Sequence, residues 1–152
     1  KNLYASECDV PEEPYAIPFG EANIVREGGD VTIVTYGLMV QNSLAAADML
    51  KKEGIEVEVI DLRTLSPIDM DTVIESVEET GRLVCVDEAS PRCSIATDVS
   101  ACVARDAFKS LKAPIEMVTP PHSPVPFSPA LEDLYIPSPD KIAAAVRKTM
   151  EA

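Results

Sequence analysis

Four apolar, β-branched runs recur along this chain with intervening stretches of helical spacing, and this alternation restricts the fold more than any other feature. The runs are Val31-Thr32-Ile33-Val34-Thr35-Tyr36, Ile55 to Leu62, Arg82-Leu83-Val84-Cys85-Val86 and Ile115-Glu116-Met117-Val118. Between the first two, Val40, Leu44, Ala47 and Leu50 fall on one side of a helix, and Lys51, Lys52 and Gly54 supply a favourable last turn and a stop. Between the second and third, Ser66-Pro67-Ile68-Asp69 reads as a helix start with proline in the first turn, followed by an inward face of Val73, Ile74 and Val77 and a closing Gly81. Ile95, Val99, Cys102 and Val103 give a third helix face. Ser138-Pro139-Asp140 opens a last helix on which Ile142, Ala145, Val146 and Met150 share a side, with Arg147 and Lys148 near its negative end. Parallel strands require crossovers, and crossovers cover the sheet with helices, so the expected class is α/β. Ala22-Asn23-Ile24-Val25-Arg26 is a weaker fifth strand. Its spacing from Val31 suggests a hairpin, although an edge position elsewhere in the sheet is equally compatible.

The chain has 152 residues, enough for one core, and with 5% aromatic residues and no Trp that core must be aliphatic. Residues 1–20 carry Pro11, Pro14, Pro18 and Gly20 among acidic residues, a composition that sustains neither a helix nor a central strand. They are expected to be an extended linker from a preceding domain, with residues 21–152 forming the folded domain.

A formal charge of -13 opposes binding to nucleic-acid phosphates or anionic lipid, so an electrostatically steered partner should be basic. No apolar run approaches the roughly 18 residues needed to span a bilayer, and Lys1-Asn2-Leu3-Tyr4 lacks a secretory apolar stretch. A soluble, cytoplasmic protein is expected. Cys8, Cys85, Cys93 and Cys102 form no C-x-x-C pair, which argues against a zinc site or disulfide framework and for buried or inert free thiols.

Few residues suggest chemistry. Gly28-Gly29-Asp30 precedes a strand instead of opening a helix and reads as a turn. Tyr36-Gly37-Leu38-Met39 lies where a strand feeds a helix, the usual ligand position in open α/β sheets, but has one glycine and no phosphate-binding motif. Asp69 with Asp71, and Glu78 with Glu79, fit a helix start and a solvated helix face. Asp87-Glu88 directly follows a strand and is a candidate for binding or an interface. His122, the only histidine, lies in the proline-stiffened run Thr119 to Phe127. Lacking a second histidine, it fits a hydrogen-bonded structural role better than catalysis, and it remains the only catalytic candidate.

Val31 to Gly37, V-T-I-V-T-Y-G, with Val57 to Asp69, V-E-V-I-D-L-R-T-L-S-P-I-D, closely resembles the C-terminal, transketolase-like domain of β subunits of thiamine-diphosphate-dependent 2-oxoacid and acetoin dehydrogenases. Pro120 to Pro137, P-P-H-S-P-V-P-F-S-P-A-L-E-D-L-Y-I-P, resembles the same subunits. Asp87 to Cys93, D-E-A-S-P-R-C, is most similar to the acetoin branch, and Ser94-Ile95-Ala96-Thr97 stands where pyruvate dehydrogenases often carry glycines.

The resemblance implies a three-layer α/β/α domain with a five-stranded mixed, mostly parallel sheet whose first strand is antiparallel and not beside the second, against the hairpin. It implies an α2β2 enzyme that cleaves acetoin or decarboxylates pyruvate and passes the fragment to a lipoyl group. Thiamine diphosphate and magnesium would bind elsewhere in that enzyme, with no cofactor and no metal in this domain. The partners implied are the α subunit, a second β subunit and the subunit-binding module of the lipoyl acyltransferase, and the isolated domain is expected to form a homodimer and to be inactive. Candidate partner-binding residues are Asp87, Glu88, Glu132 and Asp133, the last two from the acidic A-L-E-D segment. A free-standing acidic protein-binding module is the alternative, and a small hydrolase using His122 and Asp87 is a third reading.

Overall fold

A computed structural model of the chain describes Leu3, Glu7 and residues 9–152. Cys8 and much of the first part of the expected linker lie outside the described residues. Residues 9–19 have no helix or strand and are exposed.

The domain is a five-stranded sheet between two layers of helices. Strands β1 (Asn23–Arg26), β2 (Val31–Thr35), β3 (Val57–Asp61), β4 (Leu83–Val86) and β5 (Glu116–Val118) lie in the order β1-β3-β2-β4-β5. Only β1 runs antiparallel to its neighbour, pairing with β3, and the other pairings are parallel. The fold is thus the three-layer α/β/α arrangement with a mixed, mostly parallel sheet, and the hairpin between β1 and β2 is not formed.

The reason lies in the turn between them. β3 separates β1 from β2, so residues 27–30 must step across the start of β3, and Gly28 makes that step. A Cβ on Gly28 would sit 2.3 Å from the Val57 carbonyl carbon. Asp30 then fixes the turn to the segment before β3: its backbone N–H donates to the Glu56 carbonyl (2.9 Å) and its carboxylate accepts the Glu56 N–H (2.8 Å).

Alternation along the strands divides the core between two faces. Val31, Ile33, Val57 and Val59 pack with α1 (Leu38–Lys51) and α5 (Pro139–Met150), whereas Val34, Ile60 and Cys85 pack with α2 (Met70–Thr80) and α3 (Ile95–Asp106). Thr32, buried on the second face, meets the hydroxyls of Ser76 (2.6 Å) and Thr80 (2.8 Å) on α2, so its polar atom has partners where water is excluded. Burial pushes the Cys85 thiol up to about 12, leaving it protonated and unreactive at neutral pH.

Two local expectations change. Helix α2 begins at Met70, and Ser66–Pro67, a cis peptide, lies in the loop before it. Asp69 is the N-cap: its carboxylate accepts the Thr72 N–H (3.1 Å) and hydroxyl (2.8 Å), and also the Ala22 N–H (2.8 Å) from the segment leading into β1. Burial raises the Asp69 carboxyl, but these hydrogen bonds outweigh it and hold the group below its ordinary value. The second change is a short helix, α4 (Pro129–Tyr135), which follows the proline-stiffened run Thr119 to Phe127 and for which no helix was expected. None of its residues is buried, so the apolar spacing it carries faces outward and not into the core.

Candidate functional site

Ligands of open α/β sheets sit beyond the carboxyl ends of the strands, where successive crossovers depart in opposite directions. Here that crevice lies between β2, which leads into α1 on one face, and β4, which leads into α3 on the other. The chain fills it with its own side chains. Gly37, at φ 61°, turns β2 sharply into α1. Tyr36 reaches across and donates its hydroxyl to Asp87 Oδ1 at 2.7 Å. The same oxygen accepts the Ala89 N–H (2.8 Å), and Oδ2 lies 3.4 Å from the Ala96 N–H in the first turn of α3. A carboxylate therefore occupies the positive end of α3, the position an anionic ligand would otherwise take. Burial, then the neighbouring Asp87, raises the Tyr36 phenol well above its ordinary value, so Tyr36 remains a donor.

Asp87 was a candidate for partner binding, and the structure corrects that. It is 1% exposed and its oxygens are engaged within the domain, so it binds the β4–α3 loop together and is not available to a partner. Glu88, next in sequence, is exposed. His122 is also exposed, and its imidazole has no hydrogen bond among the described residues, contrary to the expected structural role. It forms neither a hydrogen bond nor an ion pair with Asp87, and the hydrolase reading loses its pair. Among the described residues, no group of three or more His, Cys, Asp or Glu side chains is placed to hold a metal. Cys93 is exposed and Cys102 half-buried, unlike Cys85.

Glu132 and Asp133 lie on α4, exposed as expected. What their sequence did not reveal is the apolar surface around them. Phe127 is fully exposed, Leu134 is 72% exposed, and Val125 and Leu131 are exposed as well. This ridge is held in place by one polar tie within itself and two to the body of the domain. Tyr135 donates its hydroxyl to the Ser123 carbonyl (3.0 Å), Lys141 Nζ donates to the Leu134 carbonyl (2.8 Å), and Asn42 Nδ2 donates to the Pro137 carbonyl (2.8 Å). A detectable sign was present in the sequence: Phe127, Leu131 and Leu134 recur at intervals of four and three within a run too rich in proline to contribute a core helix.

Known proteins agree with this architecture. The chain is 74% identical over 151 residues to the β subunit of the acetoin:2,6-dichlorophenolindophenol oxidoreductase of Cupriavidus necator, covering 99% of this chain and 45% of that one. It is 48% identical over 143 residues to the pyruvate dehydrogenase E1 component subunit β of Bacillus subtilis, covering 94% and 44% respectively. The chain thus spans less than half the length of these relatives. Among solved structures, a split-gene transketolase, described as an inactive β4 tetramer, superposes with a TM-score of 0.80 at 30% identity, covering 96% of this chain and 46% of that one. The model of the transketolase C-terminal domain matches residues 20–142, from the turn before β1 into α5. With its sheet order, its paired helix layers and this match in accord, the chain belongs to the transketolase C-terminal domain family.

Proposed function

We propose that this chain is the assembly and partner-binding domain of the β subunit of a thiamine-diphosphate-dependent acetoin dehydrogenase. Identity of 74% to an acetoin enzyme's β subunit, against 48% to a pyruvate enzyme's, supports acetoin as the substrate. The whole enzyme then cleaves acetoin and delivers the two-carbon fragment to a lipoyl group. Residues 1–20 are the linker from the part of the subunit that this chain does not span. Thiamine diphosphate supplies the carbanion chemistry of such an enzyme, with magnesium holding its diphosphate. The crevice of this domain does not fit them: the first turn of α3 is taken by the like-charged carboxylate of Asp87, so no step of the reaction runs through it.

The observation that carries the reading is the ridge from Val125 to Leu134. A domain that buries its aliphatic residues in two well-filled layers nonetheless holds Phe127 and Leu134 out in water on a tethered, proline-stiffened support. Pre-ordering an apolar surface removes part of the entropy cost of association, which favours a docking role over a structural one. Glu132 and Asp133 flank the ridge, so the partner surface should be apolar with basic side chains at its margin. The α subunit and the acyltransferase's binding module are the partners proposed, together with a second β subunit; a family relative that forms a β4 tetramer supports association between β chains.

The test uses the full-length β subunit produced together with the α subunit. Phe127→Asp combined with Leu134→Asp should weaken recovery of the heterotetramer, or binding of the acyltransferase module, by at least about tenfold, while the melting temperature of the 152-residue chain stays nearly unchanged. Normal assembly and normal module binding by this variant would refute the reading.

A further inference from the structure

At the opposite end of the sheet, the C-terminus of α3 and the turn of 3-10 helix at Phe108–Ser110 enclose an open, largely apolar groove of about 730 Å³. Ala104, Phe108, Leu111, Pro114 and Ile115 line it. Phe108 is 71% exposed, so the patch contains both a projecting ring and a hollow beside it. Ala101 and Ala104 on the exposed side of α3 have no bulk to hold another helix away.

We propose that this groove is the contact between two copies of the chain, related by a two-fold axis that seats Phe108 of each copy in the hollow of the other. The inference rests on the proposed association of β subunits and names the surface that makes it. A two-fold contact requires a self-complementary patch, which a knob beside a hole provides.

Charge then selects this patch over the other exposed apolar surfaces. Two copies each bearing -13 repel one another, and the least opposed approach is through a face poor in carboxylates. Residues 104–115 hold three cations, Arg105, Lys109 and Lys112, against the carboxylate Asp106, and Glu78 of α2 lies beside Phe108 and Lys109, so the face has a net of one positive charge. The ridge at residues 119–136 holds Glu132 and Asp133 with no Lys or Arg, and residues 9–21, which present Tyr15, Ile17 and Phe19, hold four carboxylates with no Lys or Arg. A copy docking through either of these would bring carboxylates together.

Sedimentation equilibrium of the 152-residue chain over a wide concentration range tests this, with Phe108→Glu as the disrupting variant and Phe127→Asp/Leu134→Asp as the comparison. The side chains exchanged are exposed, and circular dichroism verifies that each variant is folded. The expected result is a dimer that tightens as added salt screens the repulsion, is weakened at least about tenfold by Phe108→Glu, and is unaffected by the ridge variant. If the dimer survives Phe108→Glu, the groove is wrong while association between copies stands. A wild-type chain that stays monomeric at every concentration and salt level overturns both.

Discussion

The carboxyl edge of the sheet and the ridge at residues 119–136 are built from opposite materials, and each has the role that its composition would not suggest. The edge gathers the polar groups that look like chemistry, Tyr36 and Asp87 at the mouth of a crevice. These groups are turned inward, paired with one another and with backbone amides. The ridge gathers the residues that look like core, Val125, Phe127, Leu131 and Leu134, and turns them outward. An ionised group surrounded by donors has its bonding capacity satisfied, whereas an exposed phenyl ring still has all of its burial free energy, about 1.5–3 kcal/mol for such a side chain, left to gain from a partner. In this domain the polar site is structural and the apolar one is available for binding.

The largest expected effect tests the first half of that contrast. Asp87→Ala leaves the Tyr36 hydroxyl and the Ala89 and Ala96 amides without their acceptor in a dry setting, and should destabilise the chain by about 3 kcal/mol in urea unfolding. A loss below about 0.5 kcal/mol would mean that the knot is dispensable and that Asp87 is held for some other purpose.

A smaller effect is expected at Asp69, which ties the incoming segment to α2. Asp69→Ala should cost about 1–2 kcal/mol, from the lost cap and the freed Ala22 amide. The carboxyl titrates lower in the folded chain than in the unfolded one, so its contribution is fully present above the unfolded value and is lost as pH falls through the folded value. Stability measured down an acid series should therefore fall less steeply in Asp69→Ala than in the wild type. Parallel acid profiles would remove Asp69 from the account.

His122→Ala, in contrast, should alter stability by no more than about 0.5 kcal/mol, because its imidazole is exposed and has no partner within the described residues. If chemical denaturation shows a greater loss, the loop before the ridge has an internal contact that the geometry does not account for.

Much of this could be read from the residues, and the misses have common causes. β2, β3 and β4 are short, β-branched and bounded by turn signals, and their helices carry capping residues. Ser138 caps α5 and accepts the Lys141 N–H at 3.3 Å, as the Ser-Pro-Asp pattern implies. The start of α2 was misplaced because Ser66-Pro67 and Asp69 both carry helix-start chemistry, and only the tie from Ala22 singles out Asp69 as the cap. Asp87 was misjudged for a related reason. Proximity to a strand's end is visible in sequence, but the burial of a side chain there depends on what the neighbouring strand sends across, in this case Tyr36. Helix α4 was missed because none of its residues is fully buried and its apolar spacing lies in a proline-rich run.

The linear pattern of apolar, capping and turn residues was sufficient by itself to set the α/β class, the aliphatic core and the layering of helices on both sides of the sheet, because each depends on interactions within a few residues or on strict periodicity. Strand order, the burial of Asp87 and the exposure of Phe127 and Phe108 were decided only in three dimensions. Each depends on which distant segment arrives beside it: Gly28 crosses β3 to place β1 at the sheet edge, Tyr36 closes over Asp87, and none of the described residues covers the two phenyl rings.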